Sequence, residues 1–244
     1  MTYQIHVFKN KKELFRNVAE NFVNNITNIL HTEKQCRIVL GGGRTPVELN
    51  RFIVQSYRRS TPNWSGFHIY FSDERLVPTD HPDNTAAMIR NTLAAPLNMP
   101  YDHVHPIPTN VTVHAAADAY NSELTTIKNI IHAPLFHLAL LGLGADGHIA
   151  SLFPGSPALQ ERERLAVAVG KGPEGWERVT LTSSALEDAP LVWIVAAGRA
   201  KQPVIDRMIN GPWDPKSSPL QGLQPKRGVI AIWVDKDAAP SGSD

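Results

Sequence analysis

The chain is short of cysteine, of charge of one sign and of long apolar runs, and each shortage excludes a class of protein. Cys36 is the only cysteine in 244 residues, so no disulfide can close within the chain, in keeping with a reducing compartment. The 24 basic residues are balanced by 23 acidic ones, leaving a formal net charge of +1. Such a balance gives no broad field to attract DNA, RNA or an anionic membrane. Any anion must therefore be met by a local site. No stretch approaches the ~18 consecutive apolar residues of a membrane span. The opening segment MTYQIHVFKNKKELFRN is polar and charged and lacks the apolar region of a signal peptide. These absences point to a cytoplasmic protein without nucleic-acid or membrane partners; a monomer or a weak homo-oligomer is expected, although none of these features sets the oligomeric state. Hydrophobic residues make up 42% of the chain, enough for a substantial core.

The apolar residues that are present come in short, mostly continuous runs rich in β-branched side chains: CRIVLGG (36–42), FHIYFS (67–72), FHLALLGLG (136–144), LVWIVAAG (191–198) and GVIAIWVD (228–235). Continuous runs of this length suit parallel strands buried on both faces. YQIHVF and RLAVAV (164–169) are weaker strand candidates. Between the runs lie helical patterns. Leu14, Val18, Phe22 and Ile26, followed by Ile29 or Leu30, form one stripe, and Tyr120, Leu124, Ile127 and Ile131 form another. Strands alternating with helices predict an α/β fold: one domain spanning 1–244 around an open, mostly parallel, modified Rossmann-like sheet with helices on both faces. The tail 237–244 is small and polar and is expected to fray. GKGPEG (170–175) and GPWDPKSSPLQG (211–222) read as mobile loops.

In open α/β sheets ligands bind beyond the carboxyl ends of the strands, so the strand-to-helix turns carry the functional signal. In VLGGGRTPVELN, Thr45 is an N-cap, Pro46 the first helical residue, and Glu48, three residues after the cap, completes a capping box. Gly41, Gly42 and Gly43 would let backbone amides approach an anion such as phosphate, and Arg44 adds a charge. The Gly-Lys-Ser/Thr ending of a Walker loop is missing. Taken alone, this turn serves equally well as a capped tight turn or a phosphate site. The next turn, FSDERLVPTDHPDN, places Asp73, Glu74 and Arg75 directly after a strand, where charges must be solvated, paired or used. HPDN (81–84) opens a helix bearing Met88, Ile89 and Leu93. His81, His103 and His105 lie irregularly beside prolines, which favours solvated loop residues over a metal site.

The third turn, LGLGADGHIASLFPGSP (141–157), contains a formal G-x-G-x-x-G. A dinucleotide fingerprint would need its helix N-terminus to face a pyrophosphate. Here Asp146 would set a carboxylate against that pyrophosphate, and Pro154-Gly155 would end the helix after barely two turns. Asp146-Gly147-His148 instead has the make-up of an acid/base pair, the carboxylate orienting the imidazole and raising its basicity. Ser151 lacks a G-x-S-x-G elbow, so capping or hydrogen bonding to a neighbour suits it better than a nucleophile's role.

GGGRTP, SDERLVP, LGLGADGHIASLFPGSP, RVTLT and GRAKQPVI, in this order across about residues 36–207, resemble the 6-phosphogluconolactonase branch of the glucosamine-6-phosphate isomerase/6-phosphogluconolactonase superfamily. The deaminase/isomerase branch typically has D-E-Y where this chain has Asp73-Glu74-Arg75, and IAFNEPG where it has SLFPG. The glycine turn departs from the common S-G-G-S-T-P in carrying Arg44. The resemblance implies hydrolysis of 6-phospho-D-glucono-1,5-lactone to 6-phosphogluconate in the oxidative pentose phosphate pathway, without metal or organic cofactor. It implies His148 as general base for water, Asp146 as its orienting carboxylate or a holder of a sugar hydroxyl, and Arg75 as stabiliser of the developing oxyanion or a holder of the ring and carboxylate. Asp73 would bind hydroxyls or position Arg75. The phosphate would meet amides at Gly42, Gly43 and Thr45, with Arg44 beside it, Lys201 as cationic partner and Arg178 as a second. The alternatives are a glucosamine-6-phosphate deaminase/isomerase, a non-catalytic sugar-phosphate-binding module, and an NAD enzyme built on the glycine pattern.

Overall fold

The computed structural model describes residues 3–57, 64–131 and 133–242. Along the chain run β1 (Tyr3–Phe8), α1 (Lys11–Thr32), β2 (Cys36–Leu40), α2 (Arg44–Tyr57), β3 (Phe67–Phe71), β4 (Asp73–Arg75), α3 (Thr85–Ile89), β5 (Val104–His105) and α4 (Val113–Ile130). There follow β6 (Leu138–Leu141), β7 (Ala166–Val169), β8 (Arg178–Leu181), α5 (Ser183–Leu186), β9 (Leu191–Ala196), α6 (Gln202–Asn210) and β10 (Val229–Asp235). Every expected apolar run is a strand, including the two weaker ones, β1 and β7.

Seven strands form one sheet in the order β1-β10-β9-β6-β2-β3-β5, and all its pairings are parallel. β2, β3 and β6 are buried along their whole length, as continuous apolar strands covered on both faces must be. The α1 stripe falls where its period puts it, with Leu14, Val18, Phe22 and Ile26 all at 0% exposure. Asn10 caps this helix by accepting from the Glu13 amide. On α4, Tyr120 is fully buried. Its hydroxyl accepts from the Phe71 amide at 2.9 Å and donates to the Phe71 carbonyl at 3.1 Å, which fixes the end of β3. No helix among the described residues is long and apolar enough to cross a membrane.

The chain runs outward from β2 through β3 to β5, then returns to the other side of β2 as β6 and runs outward again through β9 and β10. The sheet therefore reverses direction between β2 and β6. At such a point the two following turns diverge and leave a crevice at the carboxyl edge. The glycine turn after β2 and the Asp146–His148 turn after β6 flank it.

A second sheet was not expected from the sequence. β4, β8 and β7 form a three-stranded antiparallel sheet, in which Asp73 faces Thr180, Glu74 faces Val179 and Arg75 faces Arg178. The Asp73–Arg75 segment is thus a strand, with Asp73 and Glu74 buried, and not an exposed loop. The expected short helix ending at Pro154-Gly155 is replaced by turns. Gly147 at φ 100° and Ala150 at φ 51° both leave helical backbone geometry. The 211–222 segment is pinned by the Gln221 side chain, which donates to the Met208 and Pro212 carbonyls. Of the tail, Ala238 is fully buried and the Ser241 amide donates to Asp206. Residues 243 and 244 lie outside the described residues.

Candidate active site

The turn after β6 folds back on itself. The Gly144 amide donates to the His148 carbonyl at 2.8 Å, and the His148 ring lies over Gly144. A Cβ at Gly144 would stand 2.2 Å from His148 Nδ1 and 2.5 Å from Asp146 Oδ1, so only glycine fits. The second glycine of the apparent nucleotide fingerprint makes room for an imidazole. Asp146 Oδ1 lies 2.6 Å from His148 Nδ1 and also accepts from the His148 amide at 3.2 Å. Burial would raise the Asp146 pKa, but the His148 amide, the imidazole's charge and their hydrogen bond outweigh it, and the carboxyl sits below its ordinary value. An ionised carboxylate only accepts, so the proton between them belongs to Nδ1, and in the neutral imidazole Nε2 is the nitrogen left as acceptor. Nε2 has no hydrogen-bond partner among the described residues. Phe153 packs against the ring, 4.7 Å between centroids, and the His148 side chain keeps 27% of its surface exposed.

Across the crevice, the glycine turn is also shaped by what it must admit. A Cβ on Gly42 would come within 2.9 Å of Arg75 Nη1 and 2.8 Å of Thr85 Oγ1, so the guanidinium rests on a bare backbone. Helix α2 starts at Arg44, two residues earlier than expected, because Gly43 takes φ 105°. Thr45 lies in its first turn, and Glu48 pairs with Lys11 at 2.7 Å and not with the cap. The first backbone bond of the turn runs from the Val47 amide to the Gly43 carbonyl. The amides before it, through Thr45, have no helical acceptor and are free for an anion.

Arg75 is held by both backbone and side chain. Nη1 donates to the Asp83 carbonyl and to Thr85 Oγ1, each at 3.3 Å, while Nε is buried without a partner. Beneath it, Glu74 Oε1 accepts from the Arg75 and Thr85 amides and Oε2 from the Ala86 amide. This carboxyl clamps β4 to the start of α3 and sets both the root and one contact of Arg75. Burial pushes its pKa up to about 7, against the pull of those three amides and the Thr85 hydroxyl.

Lys201 lies in the single helical turn (Arg199–Lys201) that leads into α6, and its Nζ donates to the Leu143 carbonyl at 2.6 Å. Burial lowers its pKa, the Asp146 charge opposes this, and Arg44 lowers it further. Lys201, Asp146 and the exposed Arg44 are thus within electrostatic reach of one another. This corner joins the turns after β2, β6 and β9.

Arg178 stands in a different corner from Lys201's contacts, and it is not a surface residue: it is 3% exposed. Its Nη1 donates to Ser151 Oγ at 3.2 Å and lies 3.5 Å from Asp73 Oδ2. Its Nη2 meets Glu174. Asp73 in turn accepts from Ser72 Oγ and Ser151 Oγ, each at 2.7 Å. Asp73 therefore serves as a buried counter-ion that positions Arg178, and Ser151 is a link in that chain. The Arg178 guanidinium also lies 5.5 Å from the Phe153 ring, the ring that backs His148.

Glu74, Ser72, Thr85, Phe153 and Glu174 were not singled out from the sequence. Glu74 had a signal, a third charge at the buried end of a strand; Glu174 had none. His103 and His105 differ from the expectation of solvated loop residues. His103 stacks on His68 with centroids 4.0 Å apart, and His105 stacks on Tyr70 at 4.2 Å. His81 caps a turn by accepting from the Asp83 amide. Among the described residues no group of three or more His, Cys, Asp or Glu is placed to hold a metal ion.

The chain as a whole has counterparts of known name. The family model for glucosamine-6-phosphate isomerases/6-phosphogluconolactonase matches residues 9–233. The chain is 34% identical over 246 residues to the 6-phosphogluconolactonase of Synechocystis sp., with 98% of each chain covered. It is 33% identical to that of Rattus norvegicus, with 96% of this chain and 92% of the relative covered. The solved 6-phosphogluconolactonase from Trypanosoma cruzi superposes with a TM-score of 0.85 at 28% identity, covering 100% of this chain and 98% of the other. With a family model over nearly the whole length and relatives above 30% identity across it, the chain belongs to the glucosamine-6-phosphate isomerase/6-phosphogluconolactonase family.

Proposed function

We propose that the protein hydrolyses 6-phospho-D-glucono-1,5-lactone to 6-phosphogluconate. The observation that carries this reading is His148, with Nδ1 tied to an ionised Asp146 at 2.6 Å and Nε2 free, on the crevice that the glycine turn, Arg75 and Lys201 also border. The names of its relatives and the Arg75 that replaces the deaminases' tyrosine support the lactone as substrate.

In this reading the phosphate docks on the amides of Gly42, Gly43 and Thr45 at the start of α2, with Lys201 and Arg44 supplying positive charge. His148 Nε2 removes a proton from water as its oxygen attacks the lactone carbonyl. The carbonyl π-pair moves onto oxygen, and Arg75, whose guanidinium rests on the bare backbone of Gly42, stabilises the oxyanion, a contribution of ~3–4 kcal/mol for a well-placed donor. Collapse re-forms the carbonyl and breaks the bond to the ring oxygen, which takes the proton back from the imidazolium. The product acid then ionises. Asp146 keeps the imidazole in the competent tautomer and steadies its charged form. Nothing in this cycle requires an oxidant, a metal or an organic cofactor. The single cysteine, Cys36, is buried with its thiol pushed up to about 12 by burial, which makes it inert and leaves it no part in the reaction.

The test is to generate the lactone in situ and follow its decay with and without the protein, using a readout faster than spontaneous hydrolysis. Acceleration supports the reading, and decay at the uncatalysed rate overturns it. Ammonia release from glucosamine 6-phosphate would assign the chain to the other branch.

A further inference from the structure

Arg178 has two edges with different fates. Its inner nitrogen, Nη1, is spent on Ser151 and Asp73. The outer edge, formed by Nε and Nη2, is the one that offers two parallel N–H bonds to an oxyanion. It is covered by the loop joining β7 to β8. Glu174 of that loop takes Nη2, and the bare Cα of Gly172 lies over the rest, so that a Cβ there would stand 2.5 Å from Nε. Nε itself is buried and has no partner among the described residues. A buried guanidinium with an unpaired N–H, facing a loop that brings its own carboxylate, is the arrangement left when an oxyanion's place is filled by the protein.

The loop is held down lightly. The Glu174 side chain keeps 51% of its surface exposed. Two residues on, Trp176 Nε1 donates to Asp83 Oδ2 at 3.2 Å, and its ring meets His81 edge-on. Asp83 is also the residue whose carbonyl accepts from Arg75. Burial would raise the Glu174 pKa, but its own backbone amide and the charges of Arg178 and Arg75 outweigh this and hold the carboxyl low. Glu174 therefore sits within the field of both cross-strand arginines.

We propose that the β7–β8 loop is a lid whose Glu174 stands in for a ligand oxyanion on the outer edge of Arg178. A carboxylate or phosphate of substrate or product must displace Glu174 to reach that edge, and Glu174 in turn competes to expel it. The proposal rests on the lactonase reading for the identity of the ligand, because lactone hydrolysis creates a carboxylate where none was bound. Glu174 is then a specificity-determining residue: it raises the threshold an anion must pass to bind.

The experiment is calorimetric titration of wild type and Glu174→Gln with 6-phosphogluconate, gluconate and inorganic phosphate. Removing the internal competitor is expected to tighten 6-phosphogluconate roughly fivefold, the upper end for a partly exposed ion pair. Tightening of gluconate assigns the edge to a carboxylate, and tightening of inorganic phosphate assigns it to a phosphate. Glu174→Ala should act in the same direction, and circular dichroism checks that both variants fold. In wild type, saturation should change a fluorescence signal that Trp176→Phe lacks. Unchanged or weaker affinity in both variants, no binding to any of the proteins, or a Trp176 signal indifferent to saturation overturns the lid. Lactone decay with wild type, measured in parallel, judges the functional reading separately, because the titration does not depend on turnover.

Discussion

Three imidazole–carboxylate pairs in this molecule have similar geometry and different consequences. His148 lies 2.6 Å from Asp146, His137 2.9 Å from Glu33 and His105 3.1 Å from Glu123. In His137, Nδ1 accepts from the Arg37 amide at 2.9 Å, so Nε2 must donate to Glu33 and both nitrogens are spent. In His105 the second nitrogen lies 3.0 Å from His68 Nδ1. Of these three, only His148 keeps a nitrogen without a partner among the described residues. Place differs too. His137 precedes β6 at the amino edge of the sheet, where it ties β6 to β2, while His148 follows the same strand at the carboxyl edge, beside the crevice. A carboxylate next to a histidine is therefore not the functional signal. The signal is the unsatisfied second nitrogen at the edge where the strand order reverses.

The strongest way to break this contrast is to delete both imidazoles. His148→Ala should lower turnover of the lactone by ~10²–10⁴, the usual scale of general-base catalysis, with the unfolding midpoint in urea nearly unchanged. His137→Ala should do the reverse. It strands the buried Arg37 amide and should cost about 1–3 kcal/mol of stability, while the folded fraction turns over normally. Near-normal turnover in His148→Ala would remove it as the base.

Next in size is the carboxylate of each pair. In Asp146→Asn the amide can donate to Nδ1, moving the imidazole proton to Nε2 and abolishing the lone pair that attracts water's proton. Turnover should fall by up to about 10⁴-fold, the scale expected when a general-base imidazole is held in the wrong tautomer. Glu33→Gln, at the other edge, should leave turnover intact. Equal effects on turnover from both would mean that the site was wrongly located.

Glu74→Gln probes the buried clamp under Arg75. Whichever way its amide turns, an N–H₂ group faces a backbone N–H that the carboxylate had accepted, at a cost of about 1–3 kcal/mol. The pH dependence gives a second readout. The folded-state pKa is raised from 4.5 to about 7 by burial, so between these values the native protein holds a proton that the unfolded chain has lost. Stability from this group is fully present below 4.5 and is lost as pH rises towards 7. Urea unfolding across that window should show a decline in wild type that Glu74→Gln lacks.

Much of this was legible in the sequence for definite reasons. The parallel strands are visible because burial on both faces makes them continuous apolar runs. His148 and Asp146 are visible because they are two residues apart and need no long-range fold to meet. The second sheet was hidden: β4 and β8 are three and four residues long, carry charges, and pair across more than 100 positions. The helix expected after His148 fails on the positive φ of Ala150, which an alanine does not advertise. The capping box fails because Gly43 starts the helix early and Lys11, from another helix, takes Glu48. Asp73, Ser151 and Arg178 are far apart in sequence, and only tertiary pairing makes them one network.

The smallest expected effect tests the histidines that have no catalytic part. Burial lowers the His68 pKa from 6.5 to about 4, and the charges of His103, His105 and Arg37 add to this against Asp102. The native imidazole thus stays neutral while that of the unfolded chain takes a proton. Its contribution to stability is fully present above 6.5 and is lost as pH falls towards 4, the opposite slope to that of Glu74. His68→Phe keeps a ring to stack on His103 but removes the hydrogen bond to His105, so it should cost about 0.5–1.5 kcal/mol near neutrality and flatten the acid limb of the stability profile. Turnover of the folded protein should not change, because the β5 edge lies two strands beyond the crevice. If His68→Phe instead slows the reaction as His148→Ala does, the distinction between a free and a saturated imidazole is not what separates function from structure in this protein.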